Sequence, residues 1–177
     1  MDFQKSSRLQ SINVSEIVKI AVHARQLKAS GRPVVILGAG EPDFDTPENI
    51  IEAAVKAMHD GETHYTPLDG TPELKTAIQT KFLRDNNLGF EISEISAGAG
   101  AKQIIFNALM ATLEPGDEVI TPSPFWTSYE DIVKICGGRM VTVPCGADQE
   151  FLLKPEDLES AITPRTKWLL LNSPGNP

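Results

Sequence analysis

Residues 118–135 read EVITPSPFWTSYEDIVKI, and the fold follows from this stretch. Residues 118–121 predict a β-strand, and residues 128–135 predict an α-helix. The connecting PSPFW is rich in proline and aromatic side chains, so it predicts a loop. A strand that leads through a short loop into a helix is the repeating unit of an α/β sheet.

The same alternation continues along the chain on both sides of this unit. Strands are predicted at residues 95–97, 140–143 and 167–171, and helices at residues 103–113 and 155–162. Strands that alternate with helices favour parallel pairing with right-handed crossovers. The predicted fold class is therefore α/β, with a mostly parallel sheet and flanking helices.

The amino-terminal residues predict a detached amphipathic helix followed by a strand at residues 34–37. Ser15 is a candidate N-cap and Gly31 a candidate end of this helix. We interpret residues 1–45 as an amino-terminal arm with a small-domain segment, and residues 46–177 as the first part of a large α/β domain. The apolar face of the helix consists of Ile17, Ile20, Ala21, Ala24 and Leu27.

Two Thr-Pro pairs predict helix starts. Thr46 and Thr71 have the residue type of an N-cap, and Pro47 and Pro72 suit the first helical position. The first of these helices is predicted to cover residues 49–58. The apolar residues predicted to point from the second helix toward a core are Leu74, Ile78 and Phe82.

Composition argues against several classes of protein. The chain has 177 residues, of which 41% are hydrophobic, as is typical of a soluble globular protein. No apolar run approaches the roughly 20 residues of a membrane-spanning helix, and no secretory signal is recognisable. The net charge of −8 is spread along the chain, which argues against nucleic acid as a partner. Two cysteines without metal-type spacing favour reduced thiols in a cytoplasmic protein.

The segment GAGAKQ, residues 98–103, places small residues between a predicted strand and a predicted helix. The start of a helix offers free backbone N–H groups and a positive dipole end, which suit a phosphate. The alternative is an ordinary tight turn, which this stretch alone favours. Neither a P-loop nor a complete dinucleotide fingerprint is present.

Other candidate ligand contacts follow predicted strands or lie in loops. Trp126 is placed to stack on a flat ring, or else to pack in the core. Asn176, between Gly175 and Pro177, places an amide at the carboxyl end of a strand, where open α/β sheets bind ligands. Gly38 and Gly40 permit close backbone approach to a ligand, or serve only a tight turn.

Tyr65 lies in a loop before the second Thr-Pro helix. It is either a packing residue or a phenolic donor to a phosphate. The three histidines lack the spacing of metal ligands, and no metal site or nucleophile triad is predicted.

The order of these motifs resembles the amino-terminal part of a class I aminotransferase of the pyridoxal-phosphate fold type I group, and it is similar to the bacterial aspartate aminotransferases of the Iβ type. The resemblance runs from about Ile20 to the last residue and implies pyridoxal 5'-phosphate as cofactor. The motifs are LGAGEPDFDTP, HYTPLDGTPEL, GAGAKQ, PGDEV with PFWTSY, and ITPRTKWLLLNSPGNP.

The resemblance implies roles for individual residues. Gly100, Ala101 and Lys102 match the phosphate-binding turn, although Ala101 replaces a glycine that many relatives have. Trp126 matches the residue that stacks on the cofactor ring beside the substrate. Asn176 matches the amide that binds the cofactor's phenolic oxygen and the substrate carboxylate.

Two further matches concern the substrate and the oligomer. Gly40 matches the glycine whose backbone meets the substrate α-carboxylate. Tyr65 matches a tyrosine that reaches the phosphate of the neighbouring subunit's cofactor, which implies a homodimer with shared active sites. No catalytic residue is expected within this chain, because the resemblance places the Schiff-base lysine beyond Pro177. The chain alone is therefore expected to be inactive.

The implied reaction is transamination between an amino acid and a 2-oxo acid, with aspartate and 2-oxoglutarate as the leading pair. Lys102 is a candidate for the distal carboxylate of such substrates, or else a surface lysine at a helix start. Two alternatives remain. One is another fold type I enzyme that catalyses β-elimination, and the other is a non-catalytic aminotransferase-like binding module.

Overall fold

The computed structural model describes residues 4–12, 16–37, 40 and 42–176. The predicted cap Ser15, the glycine Gly38 and the terminal Pro177 lie outside these residues. The α-helices are α1 Ser7–Gln10, α2 Glu16–Ala29, α3 Glu48–His59, α4 Pro72–Asn86, α5 Ala101–Thr112, α6 Ser128–Ile135 and α7 Pro155–Ala161. The strands are β1 Glu118–Ser123, β2 Arg139–Pro144 and β3 Thr166–Leu169, and two 3-10 helices cover Ile92–Glu94 and Ala147–Gln149.

The described strands form one parallel sheet in the order β2-β1-β3. Strand β1 is central, and its residues Glu118 to Ser123 pair in register with Arg139 to Pro144 of β2. Helix α6 connects β1 to β2, as the sequence between them predicts. The predicted α/β class and parallel pairing are therefore confirmed.

A hydrophobic core lies between the sheet and helices α5 and α6. Val119 and Val133 are completely buried, and Leu109 is 2% exposed. Trp168 packs against this cluster, and its indole N–H donates to Thr112 Oγ1 at 2.8 Å. The buried members of the cluster are Leu109, Leu113, Val119, Ile132, Val133 and Cys136.

Two predicted strands are wrong, because residues 34–37 and 95–97 form no strand. Isolated extended backbone cannot form a hydrogen-bonded ladder without a neighbouring strand. Val35 and Leu37 are 82% and 89% exposed, so this apolar run is not part of a described core. Strand β3 also ends at Leu169, two residues before the predicted end.

The Thr-Pro pairs behave differently from one another. Thr71 caps α4 as predicted, because its hydroxyl accepts the backbone N–H of Leu74 at 3.3 Å. Thr46 does not cap α3: Pro47 occupies the N-cap position, and no side chain accepts a hydrogen bond there. Proline has no side chain that accepts hydrogen bonds. The contribution of Pro47 to the start of α3 is therefore its fixed φ angle.

The predicted inward face of α4 is also partly wrong. Leu74 is 47% exposed, whereas Lys75 beside it is only 7% exposed. Ile78 and Phe82 are half-buried, as expected of residues on the packed face of a helix. The ring of Phe82 meets that of Phe90 edge to face, with 5.3 Å between the ring centroids. Apolar spacing predicted the helix, but the inward-facing residue is Lys75, whose ammonium group pairs with the half-exposed carboxylate of Asp69.

The chain divides into two compact units. Unit 1 comprises Met1–Glu41 with Ile105–Pro177, and unit 2 comprises Pro42–Ile104. Unit 1 contains the sheet, and unit 2 contains α3 and α4. The predicted division of the chain into an arm with a small-domain segment, residues 1–45, and the first part of a large domain, residues 46–177, stays a prediction.

Candidate functional site

In unit 1, a cavity of about 630 Å³ opens at the carboxyl ends of the strands. Ser123 and Phe125 reach it from the end of β1, and Asn172 and Asn176 reach it from the loop after β3. Ligands of open α/β sheets bind at this end, as the sequence predicts for Asn176. Both loops contain a cis peptide bond, Ser123–Pro124 and Ser173–Pro174.

Trp126 borders a hollow of about 30 Å³ that shares part of its lining with the cavity. Asn176 lines both spaces, so the structure brings these two predicted site residues together. The ring of Trp126 meets that of Tyr129 edge to face, with 5.4 Å between centroids and an angle of 89°. Tyr129 is buried, so this contact fixes the plane of the half-buried indole.

Phe151 also lines the cavity, although no sequence motif predicted a site residue there. The chain turns after β2 so that Glu150 and Phe151 adopt φ values of 54° and 59°. The Phe151 N–H donates to the Gly146 carbonyl at 3.0 Å, which closes the turn. Such φ values usually belong to glycine. Because Glu150 and Phe151 occupy these positions instead, the sequence did not predict the turn.

In unit 2, residues 98–102 form a tight turn into α5, here called the glycine turn. Gly100 has φ +92, and among the described residues no heavy atom beyond its chain neighbours lies within 4 Å of the position that a Cβ would take. A Cβ on Gly98 would lie 2.6 Å from Ile104 Cδ1, so the Ile104 side chain would have to move to make room for it. The Ala99 N–H donates to Gln103 Oε1 at 2.6 Å, which holds the turn in place.

The glycine turn lies at the amino end of a helix, a position that is typical of phosphate sites. Ala101 and Lys102 lie in the first turn of α5, whose backbone N–H groups point toward the amino end of the helix. The helix dipole adds a partial positive charge at this end. The open space beside Gly100 leaves room for an anion to approach the backbone.

Two other predicted site residues are exposed. Tyr65, in unit 2, lies in a loop before α4, and its side chain is fully exposed. Gly40, in unit 1, is exposed as well.

The opposite end of the sheet carries a buried carboxylate, which the sequence did not predict. Glu118, at the start of β1, is completely buried. Its Oε1 accepts hydrogen bonds from Arg139 at 2.5 Å and from Arg165 at 3.0 Å, and its Oε2 accepts from Thr163 at 2.8 Å. The hydrogen bond from Arg139 lowers the pKa of Glu118 most, followed by that from Thr163. This end of the sheet is therefore held by charge pairing.

The sequence of the chain has counterparts in known proteins. The sequence model for aminotransferases of class I and II matches residues 32–177. The chain belongs to the class I and II aminotransferase family. Its predicted resemblance to this family is thereby confirmed.

Individual relatives support the same assignment. The chain is 62% identical over 175 residues to an aspartate aminotransferase of Rhizobium meliloti, which covers 99% of the chain and 43% of that relative. It is 53% identical over 172 residues to an aspartate/prephenate aminotransferase of Cereibacter sphaeroides, with 97% and 43% covered. The chain thus spans less than half the length of these curated relatives.

Solved structures share the fold closely. A crystal structure of the Rhizobium meliloti aspartate aminotransferase matches with a TM-score of 0.96 and 61% identity, covering 99% of this chain and 44% of that one. An aspartate aminotransferase of Thermus thermophilus with maleate matches with a TM-score of 0.94 and 44% identity, covering 99% and 46%. The family fold is therefore present in the described residues.

Within the part of the chain that the structure describes, no helix has the length and apolar character needed to cross a bilayer. The same residues contain no group of three or more histidine, cysteine or acidic side chains arranged to hold a metal ion.

Proposed function

We propose that this chain supplies cofactor- and substrate-binding residues to a pyridoxal 5'-phosphate-dependent aminotransferase that moves the amino group of aspartate to 2-oxoglutarate. The strongest support is the 62% identity to an aspartate aminotransferase across nearly the whole chain. The cavity at the carboxyl ends of β1 and β3 adds a site of suitable size and polarity. Bound pyridoxal 5'-phosphate supplies the electron sink that amino-group transfer needs.

The glycine turn is proposed to bind the phosphate group of the cofactor. Backbone N–H groups at Ala101 and Lys102 donate to phosphate oxygens, and the dipole of α5 stabilises their charge. The alanine at position 101 is compatible with this role, because the contact uses the backbone and not the side chain. Gly100 keeps the approach to these groups open.

Trp126 and Asn176 are proposed to bind the ring of the cofactor and the substrate. The edge-to-face contact with Tyr129 holds the indole in one plane, so little ordering is needed when a flat ring stacks on it. The exposed amide of Asn176 donates to the phenolic oxygen of the cofactor and to the substrate carboxylate. Gly40 is proposed to meet the same carboxylate through its backbone.

Two carboxylates characterise the proposed substrates. Aspartate and 2-oxoglutarate are dicarboxylates, as is the maleate in the Thermus thermophilus structure. Prephenate is a second candidate acceptor, because the Cereibacter sphaeroides relative is named for it. Lys102 is proposed to pair with the distal carboxylate of the substrate or to serve only at the helix start.

A homodimer with shared active sites is part of the proposal. Tyr65 is fully exposed in its unit, so it is open to donate its phenolic hydroxyl to the phosphate bound by a partner subunit. A cytoplasmic location is also proposed. Cys136 and Cys145 are free and buried, as suits a reducing compartment, and burial raises the pKa of the Cys136 thiol.

The test uses the complete protein purified with its cofactor. We expect aspartate to change the absorbance of the bound cofactor, and aspartate with 2-oxoglutarate to yield oxaloacetate, measured through malate dehydrogenase. Replacing 2-oxoglutarate with prephenate decides between the two acceptors. Release of ammonia without any 2-oxo acid acceptor would indicate β-elimination. No response to any amino acid would contradict the aminotransferase proposal and leave a binding module.

A further inference from the structure

Lys75 is a charged residue buried in unit 2. Only 7% of its surface is exposed, and its Nζ donates to Asp69 Oδ2 at 2.5 Å. This hydrogen bond is the largest cause of the lowered pKa of Asp69. Burying an ammonium group carries a desolvation cost, and an apolar side chain would fill the same space without it. The pair therefore has a use beyond packing.

Asp69 also holds the segment that enters the glycine turn. Its backbone carbonyl accepts the N–H of Ala97 at 2.8 Å, and Ala97 directly precedes Gly98. The next residue, Gly70, has φ +108, and a Cβ there would lie 3.1 Å from the Cβ of Ala97. A side chain at position 70 would therefore crowd Ala97, so the segments around Gly70 and Ala97 pack closely.

The loop that contains Asp69 is itself compact. The Gly70 N–H donates to the Pro67 carbonyl at 3.2 Å, which closes a four-residue turn. Tyr65 lies two residues before this turn. Asp69 therefore connects the Tyr65 loop to Lys75 through its side chain and to the start of the glycine turn through its backbone.

We propose that Lys75, acting through Asp69, is a positioning residue that holds the glycine turn in the geometry required to bind a phosphate. The inference rests on the proposed function, because it assigns the cofactor phosphate to that turn. Lys75 touches neither cofactor nor substrate. When the pair is lost, Asp69 no longer fixes Ala97, and the N–H groups that follow shift away from the phosphate oxygens.

The test compares binding of pyridoxal 5'-phosphate with binding of pyridoxal, which has the same ring but no phosphate. The complete apo-protein is titrated with each compound as wild type, Lys75→Met and Lys75→Arg. We expect Lys75→Met to raise the dissociation constant of pyridoxal 5'-phosphate by at least about tenfold, as losing a residue that orients a binding group does. The dissociation constant of pyridoxal should stay within about twofold, and Lys75→Arg should restore phosphate-dependent binding because its cation still reaches Asp69.

Lys81→Met is the matched control, because Lys81 is an exposed lysine of the same helix that pairs with Asn86 at 2.9 Å. We expect it to leave both dissociation constants unchanged. Hydrogen exchange at the Ala97 amide gives a second readout and should be faster in Lys75→Met than in the wild type. If Lys75→Met folds poorly, Asp69→Asn with Lys75→Met removes both charges and should show the same selective loss.

Three results would overturn the positioning role. The first is that Lys75→Met weakens the binding of pyridoxal and of pyridoxal 5'-phosphate equally. The second is that Lys81→Met weakens the binding of pyridoxal 5'-phosphate as much as Lys75→Met does. The third is that Lys75→Met leaves the binding of pyridoxal 5'-phosphate unchanged. Each of these leaves the proposed function intact, since the wild-type protein still binds its cofactor. Failure of the wild-type complete protein to bind pyridoxal 5'-phosphate would overturn the proposed function and this inference together.

Discussion

At the scale of single residues, Trp126 and Glu118 show how differently the two ends of one strand are used. Trp126 follows the carboxyl end of β1, where its indole is half-buried beside a hollow. Glu118 begins the same strand and is completely buried under two arginines and a threonine. The carboxyl end of β1 thus presents an aromatic ring beside the hollow. At its amino end, Glu118 binds side chains from neighbouring segments and holds the strands together.

Trp126→Ala should weaken cofactor binding in the complete protein by about 0.5–1.5 kcal/mol, since a stacked aromatic pair contributes about that much. Trp126→Phe keeps a flat ring and should lose less. Dissociation constants of pyridoxal 5'-phosphate measure both effects. Trp168→Phe is the control, because Trp168 packs against the core. Equal effects of Trp126→Ala and Trp168→Phe would argue against a stacking role.

The charge of Glu118 makes stability depend on pH in the acid range. Because Arg139 and Thr163 lower its pKa in the folded state, the folded protein binds its proton less readily than the unfolded chain does. The resulting stability is present above the ordinary glutamate pKa and is lost as the pH falls through the lower pKa of the folded state. Denaturant unfolding between neutral and acid pH should therefore show a smaller acid loss in Glu118→Gln than in the wild type.

The control for this pH dependence is Glu52→Gln, which changes an exposed glutamate of α3. It should reproduce the acid loss of the wild type. If Glu118→Gln loses as much stability at acid pH as the wild type does, the pairing of Glu118 does not cause that loss.

At the scale of elements, helix α5 spans the boundary along the chain between unit 2 and unit 1. Its first turn belongs to the glycine turn of unit 2, and its remaining turns pack on the sheet of unit 1. Leu109 is the most deeply buried residue of the helix, with 2% of its surface exposed. The hydrophobic contacts of Leu109 therefore hold this part of α5 in the core of unit 1.

Leu109→Ala should lower the free energy of unfolding of the complete protein by about 2–5 kcal/mol, because it leaves a cavity in the core. Leu83→Ala is the matched control, since Leu83 lies on α4 and is 59% exposed. The control should change stability by less than about 0.5 kcal/mol. Thermal or denaturant unfolding measures both, and comparable losses in the two variants would contradict the core position of Leu109.

At the scale of the whole molecule, the chain spans 43% of the length of its Rhizobium meliloti relative. It contains residues that we propose bind the phosphate and the ring of the cofactor, and the family resemblance implies a Schiff-base lysine outside these 177 residues. Family membership is therefore firm, whereas turnover, acceptor and subunit arrangement belong to the complete protein.

A polypeptide restricted to these 177 residues should show no aminotransferase activity above background, because the lysine that takes part in the chemistry is expected outside it. Oxaloacetate formation from aspartate and 2-oxoglutarate is the measurement. The complete protein, assayed in parallel, is the control and should be active. Turnover by the restricted polypeptide would place a sufficient catalytic group within this chain.

The sequence by itself determined the α/β class, the parallel sheet and the family, because alternating elements and spaced motifs are local patterns along the chain. It also predicted ligand contacts at Trp126, Asn176 and the glycine turn; the structure places Trp126 and Asn176 on one hollow, and their roles stay predictions. It placed strands at residues 34–37 and 95–97 that do not form, because a strand exists only when another strand lies beside it. Only the tertiary structure revealed Glu118 paired with Arg165, Lys75 paired with Asp69, and Phe151 in the cavity wall. Burial and pairing depend on which distant residues meet, and that information is not contained in any single stretch of sequence.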